Sequence, residues 1–323
     1  GNPWYSTKID YLESSVNKNY NTYFFGSSRV YRQINPVVFD STCNKESVER
    51  FSSFNLGAQA TFCPQTYFLY QNFLKSKLSD DAKYCFLELT HIGSINDLFL
   101  HREQTNYWLD FSETKFVVES FINNPYISPE RKKKQLRRYI LSYFENTIHW
   151  GHFGEHLMKS NFFDPRFLGE MKNGFFPMDL DFKTTKDKFV KDHYHLINNT
   201  MLNDTSILKK NYERAKDYYG NTIKEYDQIH YNRILSLIDL SKKKGVHLIL
   251  ILSPRNASIE LVNLMRLIPE NNKIDMAISS TDNSPYYYIQ NSFDIGHMNE
   301  RGANIYSKQL ALSFLMKTNS SKE

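Results

Sequence analysis

The chain has 323 residues, 41% hydrophobic, 15% aromatic and 23% charged, with a formal net charge of +5. That length and apolar content suffice for a large buried core and exclude global disorder. The positive charge gathers in Arg131-Lys132-Lys133-Lys134 with Arg137 and Arg138, but no nucleic-acid-binding motif accompanies it, so no nucleic acid is expected as a partner. The run reads as a solvated helix face or as a surface for an anionic polymer or membrane.

In chain order, the first apolar run is Thr22–Phe25, which reads as a strand and ends in Gly26-Ser27-Ser28-Arg29. Ser53–Leu56 reads as a second strand, Thr66–Leu78 as a helix entered at Pro64, and Tyr84–Leu89 as a third strand. From His91 to Tyr219 no strand pattern stands out, but helical stretches do, clearest at Pro129–Ile148 and Asp204–Tyr219. Aromatics are dense there (Phe162, Phe163, Phe167, Phe175 and Phe176), and Gly174-Phe175-Phe176-Pro177 reads as a loop. Thr222–Lys243 then predicts a helix with His230, Ile234 and Leu237 near one face, closed by lysines and Gly245. His247–Leu252 predicts a fourth strand, Ser258–Ile268 a helix stopped by Pro269, Tyr286–Ile289 a fifth strand, and Asn299–Leu315 the last helix.

Strands without strict alternation are buried on both faces, and strands alternating with helices imply a parallel sheet covered on both sides. The expected organisation is an α/β domain formed by residues 1–90 and 220–323, with a helical insertion at 91–219 packed on it. No apolar stretch approaches the roughly 18–20 residues of a membrane span, and no signal peptide is evident. The first residue is Gly1, which leaves a removed signal or anchor open. The odd cysteine among Cys43, Cys63 and Cys85 cannot pair, and their spacing fits no metal site. Cys85 reads as a buried thiol, while Cys43 and Cys63 are free to pair or not.

Two short motifs carry chemistry. Phe24-Phe25-Gly26-Ser27-Ser28 supplies strand, tight turn and serine, as a nucleophile exposed at the end of a rigid element requires. At the C-terminal end of a central strand, Ser28 sits where parallel sheets bind ligands. The alternative is that Ser27 and Ser28 only cap the next helix. Asp294 and His297 stand three apart ahead of the final helix. There Asp294 can orient one imidazole nitrogen while the other faces Ser28, as triad geometry requires.

The Phe25-Gly26-Ser27-Ser28-Arg29 and Asp294-Ile295-Gly296-His297-Met298-Asn299 segments resemble the first and last sequence blocks of the SGNH (GDSL-type) hydrolases. Ser27 stands where the commonest form has Asp. That variant is similar to the branch containing cell-envelope acyl-transfer proteins. Phe54-Asn55-Leu56-Gly57-Ala58 resembles the second block. The resemblance covers the sheet domain and not the insertion. It implies a flavodoxin-like three-layer α/β/α fold with a five-stranded parallel sheet in the order 2-1-3-4-5. It also implies a serine esterase or O-acyltransferase that acts through Ser28, His297 and Asp294 on acyl, chiefly acetyl, esters of a carbohydrate or cell-envelope polymer. The oxyanion hole would be built from Ser28, Gly57 and Asn96. The third block departs from the family: Gly93-Ser94-Ile95-Asn96-Asp97 is one residue longer than the usual pattern, so Asn96 is either an oxyanion donor or a helix-start residue. No cofactor is implied. An extracytoplasmic setting and a membrane-bound acyltransferase partner would follow from the family branch.

Further candidates stand beside these. Arg29 either pairs within the domain or meets an anionic substrate group. Arg255, in Ser253-Pro254-Arg255 at the end of the fourth strand, faces the same crevice and is a candidate substrate contact. Glu88, in an apolar strand, lies near the site or is matched by a basic neighbour. His149, His152 and His156 recur at helical spacing, but Gly151 and Gly154 oppose a helix and no carboxylate accompanies them, so no metal is expected. His193 and His195 read as surface or packing residues. A non-catalytic carbohydrate-binding or assembly protein on the same scaffold is the competing function.

Overall fold

The structure, a computed structural model, describes residues 2–14, 19–93, 107–148, 163–220, 225–278 and 284–320, the side chains of 146, 148, 319 and 320 excepted. Its centre is a parallel sheet in the order β2-β1-β3-β4-β5, with β1 Thr22–Phe25, β2 Ser53–Asn55, β3 Tyr84–Glu88, β4 His247–Leu252 and β5 Lys273–Asp275. Phe24 lies in register with Asn55 on one side and Phe86 on the other, and Phe86 with Ile249. The chain runs outward in opposite directions from β1 and β3, so the switch in strand order falls beside the C-terminal end of β1.

Alternate strand residues feed two cores, which makes the molecule three-layered. Phe24, Phe86, Ile249 and Ile251 pack against α2 (Ser28–Gln33), α3 (Pro36–Glu46) and the C-terminal helix through Val30, Phe39, Cys43, Tyr306, Leu310 and Phe314. Tyr23, Phe25, Cys85, Leu87, Leu248 and Leu250 pack on the other side against α4 (Gln65–Lys75). An N-terminal helix, α1 (Pro3–Ser14), lies ahead of β1, with Thr7, Lys8 and Leu12 buried.

Within the insertion, α5 (Phe111–Asn123) and α6 (Pro129–Ile148) add Phe116, Val117, Phe121 and Tyr139 to the second core, beside Ile234 and Leu237 of α10 (Gln228–Lys243). Residues Arg131, Lys133, Lys134 and Arg137 are exposed on α6. Between these helices come α7 (Met178–Thr184), α8 (Lys188–Asn203) and α9 (Ser206–Gly220). Phe163 is exposed, Phe167 stacks on Trp4 at 5.1 Å, and Phe175 and Phe176 are buried. Then α11 (Ile259–Leu267) follows β4, and α12 (Glu300–Ser320) closes the fold.

The fifth strand is a correction. Tyr286–Ile289 is not in the sheet; Pro285–Tyr287 and Ile289–Asn291 are 3₁₀ turns. Pro285 brings a fixed φ and no N–H, and Tyr286 and Tyr287 enter the core as anchors of this loop instead. The true edge strand, Lys273–Asp275, carries a single apolar residue, Ile274, because an edge of three residues needs little more. All three cysteines are buried free thiols. Among the described residues no helix is long and apolar enough to cross a membrane.

Candidate active site

The chain leaves β1 through Gly26, where a side chain has no room: a Cβ would meet Val30 Cγ2 at 2.4 Å and Glu88 Cβ at 2.6 Å. Ser27 caps α2 by accepting from the Arg29 N–H at 3.2 Å, and Ser28 opens that helix. Ser27 is itself held from below. Its N–H and Oγ both donate to Glu88 Oε2, at 2.8 and 2.6 Å, on a carboxylate with no exposure to solvent. Glu88 thus sits at the C-terminal end of β3, against the turn that presents Ser28.

Ser28 Oγ lies 2.8 Å from His297 Nε2. His297 Nδ1 lies 2.9 Å from Asp294 Oδ2 and 3.1 Å from Oδ1. Asp294 Oδ1 also accepts the N–H groups of Gly296 at 2.6 Å and His297 at 2.7 Å, which ties the carboxylate to the loop it orients. Burial pushes the Asp294 carboxyl up, but the His297 side chain and these two N–H groups outweigh it and hold it below its usual value. His297 keeps a partly exposed ring, with 22% of its side chain accessible against 9% for Asp294.

Arg255 corrects the expectation of a substrate contact. Its guanidinium is spent inside the protein: Nε donates to Tyr286 O at 2.8 Å, one terminal nitrogen donates to Asp294 O at 2.8 Å and His297 O at 2.9 Å, and the other donates to Tyr286 O and Ser292 Oγ. All five N–H donors are thereby used on the loop that carries Asp294 and His297. Burial pushes the Arg255 guanidinium down to about 10, which still leaves it charged at neutral pH. Its own backbone is left-handed, at φ 64°, and its N–H meets Tyr287 Oη at 3.1 Å.

The expected oxyanion donors differ in their availability. The Ser28 N–H, at the first turn of α2, meets no acceptor among the described residues. The Gly57 N–H is already engaged, donating to Asn55 Oδ1 at 2.9 Å, because Asn55 turns its side chain back to bind Gly57 and the carbonyls of Val30 and Ile34. A side chain at 57 would also strike the Tyr31 backbone nitrogen at 2.5 Å, so this glycine is there for close packing against α2. Asn96 lies outside the described residues, as do His149, His152 and His156. Arg29 is half-buried beside Ser28; among the described residues its buried Nε has no partner and no carboxylate pairs with it.

Two buried basic side chains have no signature in the sequence. Lys8 of α1 is fully buried, donates to Gly57 O at 2.6 Å and lies 4.1 Å from the centre of the Tyr31 ring. Burial, with the nearby Arg32 charge, drives its ammonium well below the usual lysine range. Arg32 of α2 ties the insertion to the helix that begins at Ser28, through Asp181 at 2.7 Å, Phe176 O at 3.0 Å and Tyr194 Oη at 3.2 Å. On the other motif, Asn198 of α8 donates to Phe293 O at 2.6 Å. Both halves of the site therefore lean on the insertion, through partners that only folding brings close.

In comparisons with known proteins, no protein-family model matches the chain, and no match was found among curated proteins.

Proposed function

We propose that the protein is a serine esterase or O-acyltransferase of the SGNH type. The observation that carries this reading is the continuous relay Ser28 Oγ–His297–Asp294, with contacts of 2.8 and 2.9 Å, at the switch point of a parallel sheet. In this reading Ser28 attacks an ester carbonyl while His297 Nε2 takes its proton and returns it to the leaving alcohol. Asp294 fixes the imidazole so that Nδ1 carries the other proton and stabilises the imidazolium that forms. The free Ser28 N–H supports the developing oxyanion. Water as second acceptor gives hydrolysis, and a sugar hydroxyl gives acyl transfer.

The substrate class in this reading is an acyl, chiefly acetyl, ester of a carbohydrate or cell-envelope polymer. It rests on the resemblance of the Gly26–Arg29 and Asp294–Asn299 segments, as do the extracytoplasmic setting and a membrane-bound acyltransferase partner. Purified protein is tested on p-nitrophenyl acetate and on acetylated oligosaccharides beside Ser28→Ala. Turnover by wild type that the variant lacks supports the reading, and equal turnover by both removes Ser28 from it. The competing reading, a non-catalytic carbohydrate-binding or assembly protein, is favoured by the Gly57 N–H being committed to Asn55. It predicts saturable oligosaccharide binding that Ser28→Ala leaves intact, with no turnover.

A further inference from the structure

A second cluster of titratable side chains lies on the other side of the sheet, on helices that carry none of Ser28, Asp294 and His297. Asp227 caps α10, His230 is the third residue of that helix, and Glu260 lies in the first turn of α11. One oxygen from each carboxylate and one ring nitrogen of His230 lie within 4.8 Å of one another, and all three residues are buried.

Both carboxylates of this cluster are hydrogen-bonded by neighbouring protein groups. Among the described residues, no lysine or arginine pairs with either carboxylate. Glu260 meets His91 Nδ1 at 3.0 Å, on a side chain that is 43% exposed. Asp227 receives the Ser120 hydroxyl and the His230 N–H. The Asn124 amide donates to both carboxylates, at 3.3 Å to Asp227 and 2.9 Å to Glu260, and so holds two like charges together. Burying such a pair is costly unless a cation joins it.

His230 completes the set. Its Nε2 lies 2.8 Å from Tyr67 Oη, while Nδ1 is fully buried and has no hydrogen-bond partner among the described residues. A proton on Nε2, donated to Tyr67, leaves a lone pair on Nδ1, the arrangement in which an outer partner fixes the tautomer of a metal-binding imidazole.

We infer that Asp227, Glu260 and the Nδ1 atom of His230 bind one divalent transition-metal ion, with zinc the best match. One imidazole nitrogen and two carboxylate oxygens form a donor set zinc accepts, their two negative charges equal its charge, and three protein ligands leave a position for water. Asn124, at the end of α5, is the outer-sphere donor. The ion would therefore join α10 to α11, with Asn124 at the end of α5 held beside it, apart from the chemistry proposed at Ser28.

The test uses the full chain, stripped with EDTA and then equilibrated with zinc chloride alone. The expected result is about one tightly held zinc per chain, a Tm raised by zinc, and an affinity at least tenfold weaker in both Glu260→Gln and His230→Gln. If those variants fail to fold, X-ray absorption of the wild-type zinc complex decides. It should show only nitrogen and oxygen neighbours at about 2.0–2.2 Å, with a single imidazole. Sub-stoichiometric zinc in the wild type, undiminished binding in the folded variants, or a spectrum showing sulfur or several imidazoles overturns the site. Esterase assays do not enter this test, so it stands or falls apart from the proposed activity.

Discussion

One oxygen of Glu88 receives both the N–H and the hydroxyl of Ser27, at 2.8 and 2.6 Å, immediately before the serine that faces His297. A buried carboxylate on the neighbouring strand thus sets the turn, and the serine at 27 is the side chain that reaches it. Glu88→Ala leaves two buried donors without an acceptor, at about 1–3 kcal/mol each. The variant should lose stability in denaturant titration and lose kcat more than it raises KM. Glu88→Gln, which keeps an acceptor oxygen, should recover most of both.

Arg255 predicts a positioning effect without substrate contact. Replacing it by Lys substitutes one flexible ammonium for a five-donor fork and cannot serve Tyr286, Ser292, Asp294 and His297 together. A shift of about 1 Å in a reacting group can cost around a hundredfold in rate, which is the loss of kcat expected for Arg255→Lys with circular dichroism unchanged.

Asp294→Asn should lower kcat by about 10⁴-fold, as a wrong imidazole tautomer does in other triads. It also carries a pH signature. Because the folded state holds the Asp294 carboxyl below its usual value, the native state releases this proton more readily than the unfolded chain. Its stabilising contribution is complete above the unfolded value of about 3.9 and disappears as pH falls through the lower folded value. The Tm difference between wild type and Asp294→Asn, followed from pH 6 downward, should hold steady and then shrink in the acid range.

Among the described residues Arg29 has no counter-charge and its buried Nε has no partner. If an anionic substrate group supplies them, Arg29→Gln should lose about 1.5–3 kcal/mol of transition-state binding on acidic esters, or roughly 10–100-fold in kcat/KM. Neutral p-nitrophenyl acetate should be turned over equally. An equal loss on both substrates would assign Arg29 a packing role.

Arg32 and Asp181 join the insertion to α2, with side chains 3% and 17% exposed. Removing one partner of a buried pair costs about 3–5 kcal/mol. Arg32→Met should therefore unfold at lower denaturant and open residues 163–220 to limited proteolysis before the sheet is cut.

The central strands were legible because burial on both faces leaves an uninterrupted apolar run, as in Thr22–Phe25 and His247–Leu252. The edge was not: Lys273–Asp275 carries one apolar residue, whereas Tyr286–Ile289 has strand composition and spends it on anchoring a loop. The serine and the histidine announce themselves through short motifs after apolar segments. The work of Arg255 does not, since its acceptors lie 31 to 42 residues further on and are mostly backbone carbonyls, which any sequence possesses. Glu88 showed as a charge out of place, but its partner is a backbone N–H and a hydroxyl 61 positions away.

The 269 positions between Ser28 and His297 set an order of events during synthesis. At about 5–20 residues per second, the serine leaves the ribosome's peptidyl-transferase centre roughly 15–50 s before the histidine is even made. Throughout that interval the β1 turn is only a serine, with an ordinary hydroxyl and no base. If the proposed activity holds, a nascent chain is therefore inert toward esters around it, and reactivity arrives only when the Asp294–His297 loop docks.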